Sequence, residues 1–234
     1  MELVGHRGLS NKYTENTIEA FLDAFNNGAD AVEMDVQLTK DNVPIIFHDF
    51  DLNRLFGINK KVNELRLEEI RKLRLKNGEF IPTLFEVLEK LKGKKLFIEL
   101  KTLHDDFTRT NENMPKIVYD ILKNFDNKNI VIISFDIKAL SDLREIDDKI
   151  SLGLDFEENS ENLISNEFLY EVLEDNNIEY FLPEFSISKN YVELKRRYKI
   201  IPWVINKKDD LDKVKSFSYG VISDRVDIIK NYLK

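Results

Sequence analysis

His6-Arg7-Gly8, Glu33-Met34-Asp35 with His48 not far behind, and Glu99-Leu100-Lys101 are the residues of this chain best suited to chemistry. Each cluster stands at or beside the end of an apolar, β-branched run of the kind that forms a buried strand. Alternate strand residues share a face, so Glu33 and Asp35 point one way together, and so do Glu99 and Lys101. Acids on the inward face of a barrel strand need a cation if they are to ionise. Carboxylate oxygens are hard donors that suit Mg²⁺, Ca²⁺ or Mn²⁺. With no cysteine and only three histidines, the chain is poorly equipped for a zinc cage. His6 and His48 are placed for a general acid and base, imidazole being the side chain that exchanges protons near neutral pH. Arg7 and Lys101 bring positive charge to the same place. They either neutralise the carboxylates or contact a phosphate, Arg as a two-pronged donor and Lys as a point charge. Any one of these residues alone reads better as a solvated strand end or an ion pair. Together they suit a cation and a phosphate.

The elements that must position them alternate from end to end. Apolar runs predict strands over Glu2–His6, Ala31–Leu38, Pro44–His48, Lys95–Lys101, Asn129–Phe135, Ile150–Leu154, Tyr180–Pro183, Ile200–Ile205 and Gly220–Ser223. Helical patterns fall over Thr17–Asn27, Thr83–Leu91, Pro115–Phe125, Lys138–Glu145, Glu161–Asp175, Asn190–Arg197, Asp209–Ser216 and Asp227–Leu233. Asn16 or Thr17 can cap the first helix, and Asn27-Gly28 is a good stop for it. Such alternation means a parallel sheet with crossover helices. An α/β (β/α)₈ TIM barrel, typically of about 250 residues, fits the length with little to spare. An open doubly wound sheet is the other candidate. It usually carries a Gly-rich phosphate turn after its first strand, where this chain has His-Arg-Gly. Pro44–His48 is the ninth strand of an eight-stranded plan and reads as a hairpin-like extension over the barrel mouth. A small insertion near residues 49–82 holds a short helix over Leu67–Leu75, and residues 1–234 read as a single barrel domain.

Composition narrows the function. With 43 acidic against 35 basic residues the formal charge is −8, which argues against a general nucleic-acid binder. The absence of cysteine removes disulfides, thiolate metal sites and a cysteine nucleophile. No run approaches the roughly 18 apolar residues of a membrane helix, and the N-terminus carries no signal-like segment, so the cytoplasm is the expected location and no stable membrane insertion is expected. His104 lies in a polar loop and reads as an exposed loop histidine. Trp203 is core by default. If Phe135 and Trp203 point inward at the mouth, they instead wall one side of a substrate pocket. The Lys195-Arg196-Arg197 run and the Asp155–Glu158 region read as solvated faces.

Over essentially its whole length the chain resembles the glycerophosphodiester phosphodiesterases, metal-dependent (β/α)₈ enzymes. The resemblance lies in His6-Arg7-Gly8, Glu15-Asn16-Thr17, Glu33-Met34-Asp35-Val36, Pro44–Asp49, Ile81-Pro82-Thr83-Leu84 and Ile98-Glu99-Leu100-Lys101. Later echoes are Ser134-Phe135, Trp203 with Asn206, and Gly220–Arg225. The resemblance implies that Glu33, Asp35 and Glu99 are metal ligands and that His6 and His48 are the catalytic acid–base pair. It also implies that Arg7 and Lys101 contact the phosphate, with Glu15 supporting the site from the first loop. Thr14 and Val226 stand where the family usually has proline, a difference in loop stiffness and not in chemistry. The implied reaction is hydrolysis of a glycerophosphodiester to glycerol 3-phosphate and an alcohol, with His6 as base and His48 as acid. Water or the substrate's own 2-hydroxyl is the nucleophile. Two other readings are a lysophospholipase D-like activity, using a groove from Leu55, Phe56 and Phe80, and a non-catalytic barrel that binds a phosphodiester.

Overall fold

The computed structural model describes every residue except Asn77, Asp105, Asn162 and Lys234. The strands are β1 (Glu2–Gly5), β2 (Ala31–Leu38), β3 (Pro44–Ile46), β4 (Asp51–Leu52), β5 (Ile58–Lys61), β6 (Lys95–Leu100), β7 (Ile130–Ser134), β8 (Ser151–Phe156), β9 (Tyr180–Pro183), β10 (Lys199–Ile200) and β11 (Gly220–Ser223). The main helices are α1 (Ile18–Asn26), α2 (Asn53–Phe56), α3 (Leu67–Ile70), α4 (Leu84–Lys90), α5 (Met114–Leu122), α6 (Ile137–Ile146), α7 (Glu158–Glu161), α8 (Asn166–Asp175), α9 (Lys208–Val214) and α10 (Val226–Ile229). Eight strands pair in parallel in the order β10-β9-β8-β7-β6-β2-β1-β11. The chain after β10 returns to β11, where Ile222 N donates to Pro202 O at 3.0 Å and Ile205 N to Ile222 O at 2.8 Å. The barrel is thereby nearly closed, as the alternation of apolar runs and helices predicts.

Strand parity sorts the core into two layers. Val32, Met34, Val36, Leu96, Ile98, Leu152 and Leu154 face the surrounding helices. Val4, Ala31, Phe97, Val131, Ile133, Tyr180, Leu182, Ile201 and Ile222 fill the barrel interior. The interior apolar stack ends where Glu33, Asp35 and Glu99 continue the same parity toward the C-terminal ends of β2 and β6.

Some elements differ from expectation. β10 is shorter than Ile200–Ile205, because Pro202 has no N–H to continue a ladder. The helix expected over Glu161–Asp175 starts later, at Asn166, where Ser165 caps α8 by accepting from Phe168 N at 3.2 Å, and a separate short α7 ends at Glu161. Asn190–Arg197 is part of a 3₁₀ stretch, Ser188–Arg196. Thr17, rather than Asn16, caps α1 through Ala20 N.

The hairpin expected at Pro44–His48 forms as β3, antiparallel to β2 with Val36 opposite Ile46. The following segment holds the small antiparallel pair β4–β5, α2 and α3 around Leu52, Val62, Leu65, Ile70 and Ile81. Ile46 N donates to Pro82 O at 2.8 Å, which ties the end of this segment back to the barrel. Among the described residues no helix is long and apolar enough to cross a membrane.

Candidate active site

The site is built from turns that follow the barrel strands. Arg7 sits in the left-handed region at φ 55°, and Gly8 follows at φ 87°. A β-carbon on Gly8 would lie 2.6 Å from the Ala20 backbone of α1, so only glycine lets the turn close on that helix. The turn aims Arg7 N at Glu33 Oε2, 3.0 Å away, and Arg7 Nε at Asp35 Oδ2, 3.3 Å away. Asn16 donates to the same Asp35 oxygen at 2.8 Å. Lys101, just past β6, pairs with Glu99 at 2.9 Å. The hairpin delivers His48 to the same mouth, where Gln37 Nε2 donates to the His48 carbonyl at 2.9 Å and to the Asp49 carbonyl at 2.5 Å.

Each histidine has its own carboxylate. His6 Nδ1 lies 2.6 Å from Asp224 Oδ1 and its Nε2 lies 4.0 Å from Glu33. Asp224 also accepts from Ser10 Oγ at 3.1 Å and from Asn206 Nδ2 at 2.7 Å. His48 Nδ1 lies 2.7 Å from Asp49 Oδ1. Asp49 is gripped by Arg54 through bonds of 2.6 and 3.0 Å, and Arg54 reaches on to Glu15 at 2.6 and 3.0 Å. Glu15 then meets Arg7 at 3.1 Å, so one chain of ion pairs runs from His48 to Asp35. Glu15 stands behind Arg7 and does not line the cavity over the acid trio.

Glu33, Asp35 and Glu99 each offer an oxygen within 4.8 Å of the others, and all three are buried. Glu33 Oε1 and Asp35 Oδ1 have no hydrogen-bond partner. Burial, with repulsion from Asp35 and Glu99, pushes the Glu33 carboxyl well above its usual range, against the pull of Arg7. Burial works against the Asp35 carboxylate too, but Arg7, His48 and Lys101 outweigh it and hold that carboxyl well below its usual range. Two orphaned, buried carboxylate oxygens in an all-oxygen donor set fit a hard divalent cation.

A cavity of about 240 Å³ opens over this trio, lined by His6, Arg7, Glu33, His48, Glu99 and Lys101. Phe135, Asp155 and Trp203 also line it. The Phe135 and Trp203 rings meet edge to face at 5.8 Å, and Trp203 Nε1 donates to Leu182 O at 2.8 Å. Trp203 both packs on the interior core and walls the cavity.

Three sequence readings need correction. Asp155 is not part of a solvated face: it is 4% exposed and lines the cavity. The predicted strand stopped at Leu154, but β8 runs on to Phe156, and its parity places Asp155 with Gly153 on the inward face. His104 is a loop residue, but it is half-buried rather than exposed. Its ring lies 3.9 Å from that of Phe50, and it also borders the cavity. Leu55 and Phe56 pack into the insertion's own core, and Phe80 lies under Arg74 at 3.6 Å, so the groove expected from them is not at the mouth. Asp224, Asp49 and Arg54 hold the catalytic candidates without having been given roles from sequence. Their contacts span 218 residues for Asp224 and 39 for Arg54 to Glu15, separations across which no local pattern operates.

A family profile described as the Glycerophosphoryl diester phosphodiesterase family matches residues 6–228. The chain is 30% identical to a glycerophosphodiester phosphodiesterase of Caldanaerobacter subterraneus subsp. tengcongensis, covering 99% of this chain and 97% of the relative. The glycerophosphodiester phosphodiesterase of Thermotoga maritima superposes with a TM-score of 0.84 at 31% identity, over 99% of this chain and 97% of that one. An Oleispira antarctica phosphodiesterase solved with the product sn-glycerol-3-phosphate shares the fold, with a TM-score of 0.87 at 24% identity over 100% and 96% of the two chains. The chain therefore belongs to the glycerophosphoryl diester phosphodiesterase family, enzymes that hydrolyse phosphoric diesters.

Proposed function

We propose that this protein hydrolyses small glycerophosphodiesters to glycerol 3-phosphate and an alcohol, using a divalent cation and two histidines. The observation that carries the reading is the convergence of two histidine–carboxylate pairs on one buried trio of acids with unpaired oxygens. Glu33, Asp35 and Glu99 would hold Mg²⁺ or Ca²⁺, or Mn²⁺, and the bound ion would supply Lewis acidity toward a phosphate oxygen. Arg7 and Lys101 bind the phosphate and offset charge building on its oxygens.

His6 takes the proton of the nucleophile, either water or the substrate's own 2-hydroxyl; in the second case a cyclic phosphate forms first and water then opens it to glycerol 3-phosphate. As the bond from phosphorus to the leaving alcohol breaks, His48 gives that oxygen a proton. The surroundings support this order. Asp224 is held by the neutral Ser10 and Asn206, which leaves its whole charge for an imidazolium at His6. The charge of Asp49 is divided between His48 and Arg54. Phe135 and Trp203 wall the substrate pocket.

The test is a product assay on a panel of glycerophosphodiesters, with each metal returned after chelation. The expected result is glycerol 3-phosphate only when Mg²⁺, Ca²⁺ or Mn²⁺ is present. Full turnover under chelation overturns the metal assignment, and failure to cleave any glycerophosphodiester overturns the reading as a whole. A cyclic phosphate seen by rapid quench would identify the 2-hydroxyl as nucleophile, and its absence would favour water.

A further inference from the structure

The reaction as proposed leaves one buried carboxyl in the cavity unused. Asp155 is the fifth residue of β8, faces the barrel axis, and has an Oδ2 without a hydrogen-bond partner. It lines the same cavity as Glu33 and Glu99, together with Phe135 and Trp203. It also borders a second, apolar recess of about 230 Å³, walled by Leu103, Phe107, Leu154, Leu163 and Ile164. A buried carboxyl without a partner destabilises a fold, so packing gives no reason to keep one here.

We propose that Asp155 pairs with the free terminal hydroxyl of the substrate's glycerol arm and so selects unacylated glycerophosphodiesters over acylated or deoxy ones. The inference rests on the proposed function. With the phosphate held by Arg7 and Lys101 on one side, an ester arm crossing the cavity meets the Phe135–Asp155–Trp203 wall. Asp155 is 4% exposed and its Oδ2 is closed to solvent, so a small hydroxyl reaches that oxygen through a slight shift of the side chain, where a bulkier group would not. A quaternary ammonium has no N–H to offer it, and Lys101 already acts on Asp155 electrostatically. Burial, with repulsion from Glu99 and Asp35, pushes the Asp155 carboxyl well above its usual range. A hydroxyl both donates and accepts, so it satisfies the carboxyl in either protonation state. Asp155 borders both spaces along with Leu103, Phe107, Phe135 and Ser160, so an acyl chain running into the apolar recess would pack beside it and leave the carboxyl desolvated and unpaired.

The experiment compares kcat/KM of the wild type, D155N and D155L on three substrates with metal present. They are glycerophosphocholine, its analogue lacking the terminal hydroxyl, and lysophosphatidylcholine. The wild type should prefer glycerophosphocholine to the deoxy analogue by at least about tenfold. D155L should lose about 10- to 100-fold on glycerophosphocholine, hold its rate on the deoxy analogue, and gain relatively on lysophosphatidylcholine. D155N, whose amide still hydrogen-bonds, should fall between. Melting temperatures of both variants at or above the wild type would separate this outcome from misfolding. An equal fall on all three substrates, or a wild type that prefers the deoxy or acylated substrate, overturns the role of Asp155 alone. A wild type that cleaves no glycerophosphodiester overturns both this role and the proposed function.

Discussion

The two walls of the mouth are built on opposite principles. On the wall made by β1, β2, β6 and the hairpin, charged side chains interlock: Arg7 with Asp35 and Glu15, Lys101 with Glu99, His6 with Asp224, His48 with Asp49. The second wall, from β7, β8 and the chain after β10, offers two rings and Asp155, whose Oδ2 is unpaired. A preorganised charged wall stabilises charge that develops during a reaction, because its dipoles need not reorganise. An apolar wall with one unsatisfied group instead discriminates among ligands by what they bring to it. Changes on the first wall should therefore strike turnover, and changes on the second should strike binding and choice of substrate.

Removing the cation is the largest test of that division. Chelation should reduce activity to background, with Mg²⁺ or Ca²⁺ restoring it, as followed by product release. Next come H6A and H48A, each expected to lower kcat by about 10²- to 10⁴-fold while the melting temperature stays within a few degrees. A histidine variant that loses KM rather than kcat would erase the distinction between the walls.

D224N should lower kcat by at least about tenfold, because the amide can present the wrong hydrogen-bonding face to His6. It also carries a pH signature. Burial opposes ionisation of Asp224, but His6, Asn206 and Ser10 overcome it and hold the carboxyl at about 2, against an ordinary 3.8. A depressed carboxyl contributes stability that is fully present above about pH 4 and is lost as pH falls through about 2. The contribution is at most about 2 kcal/mol for a side chain that is still partly solvated. The stability gap between wild type and D224N should therefore be constant above about pH 4 and close on further acidification, as measured by thermal melts. A gap that widens toward pH 2 would contradict the assignment.

The smallest effect is expected on the far wall. F135L should raise KM a few-fold and leave kcat within about twofold, since only packing against the substrate changes. A kcat loss matching that of the histidine variants would make the ring part of the chemistry and break the comparison.

Much of the near wall was legible from local pattern. The parity of β2 and β6 places Glu33, Asp35, Glu99 and Lys101 on the inward side of their strands. Asp155 shares that parity on β8, but it lies beyond the last apolar residue of the predicted run, where alternation is hard to tell from a polar loop. The insertion's pair β4–β5 was hidden for another reason. Its strands are short and its partners Asp51 and Lys61 are exposed, so no apolar rhythm marks them. Leu55 and Phe56 show the reverse error, since hydrophobicity alone cannot tell a groove from a local core.

By itself the sequence determined the alternation of strands and helices, the shared face of the acids on β2 and of Glu99 with Lys101, and the residue types able to hold a cation and move protons. Those follow from periodicity and side-chain chemistry, which are local. The tertiary structure alone decided that Asp224 backs His6 and that Arg54 joins Asp49 to Glu15. It also decided that Asp155 lines the same cavity as Glu33 and Glu99, and that Trp203 serves both core and wall. Such facts depend on barrel closure, which brings residues more than two hundred apart in the chain within hydrogen-bonding distance.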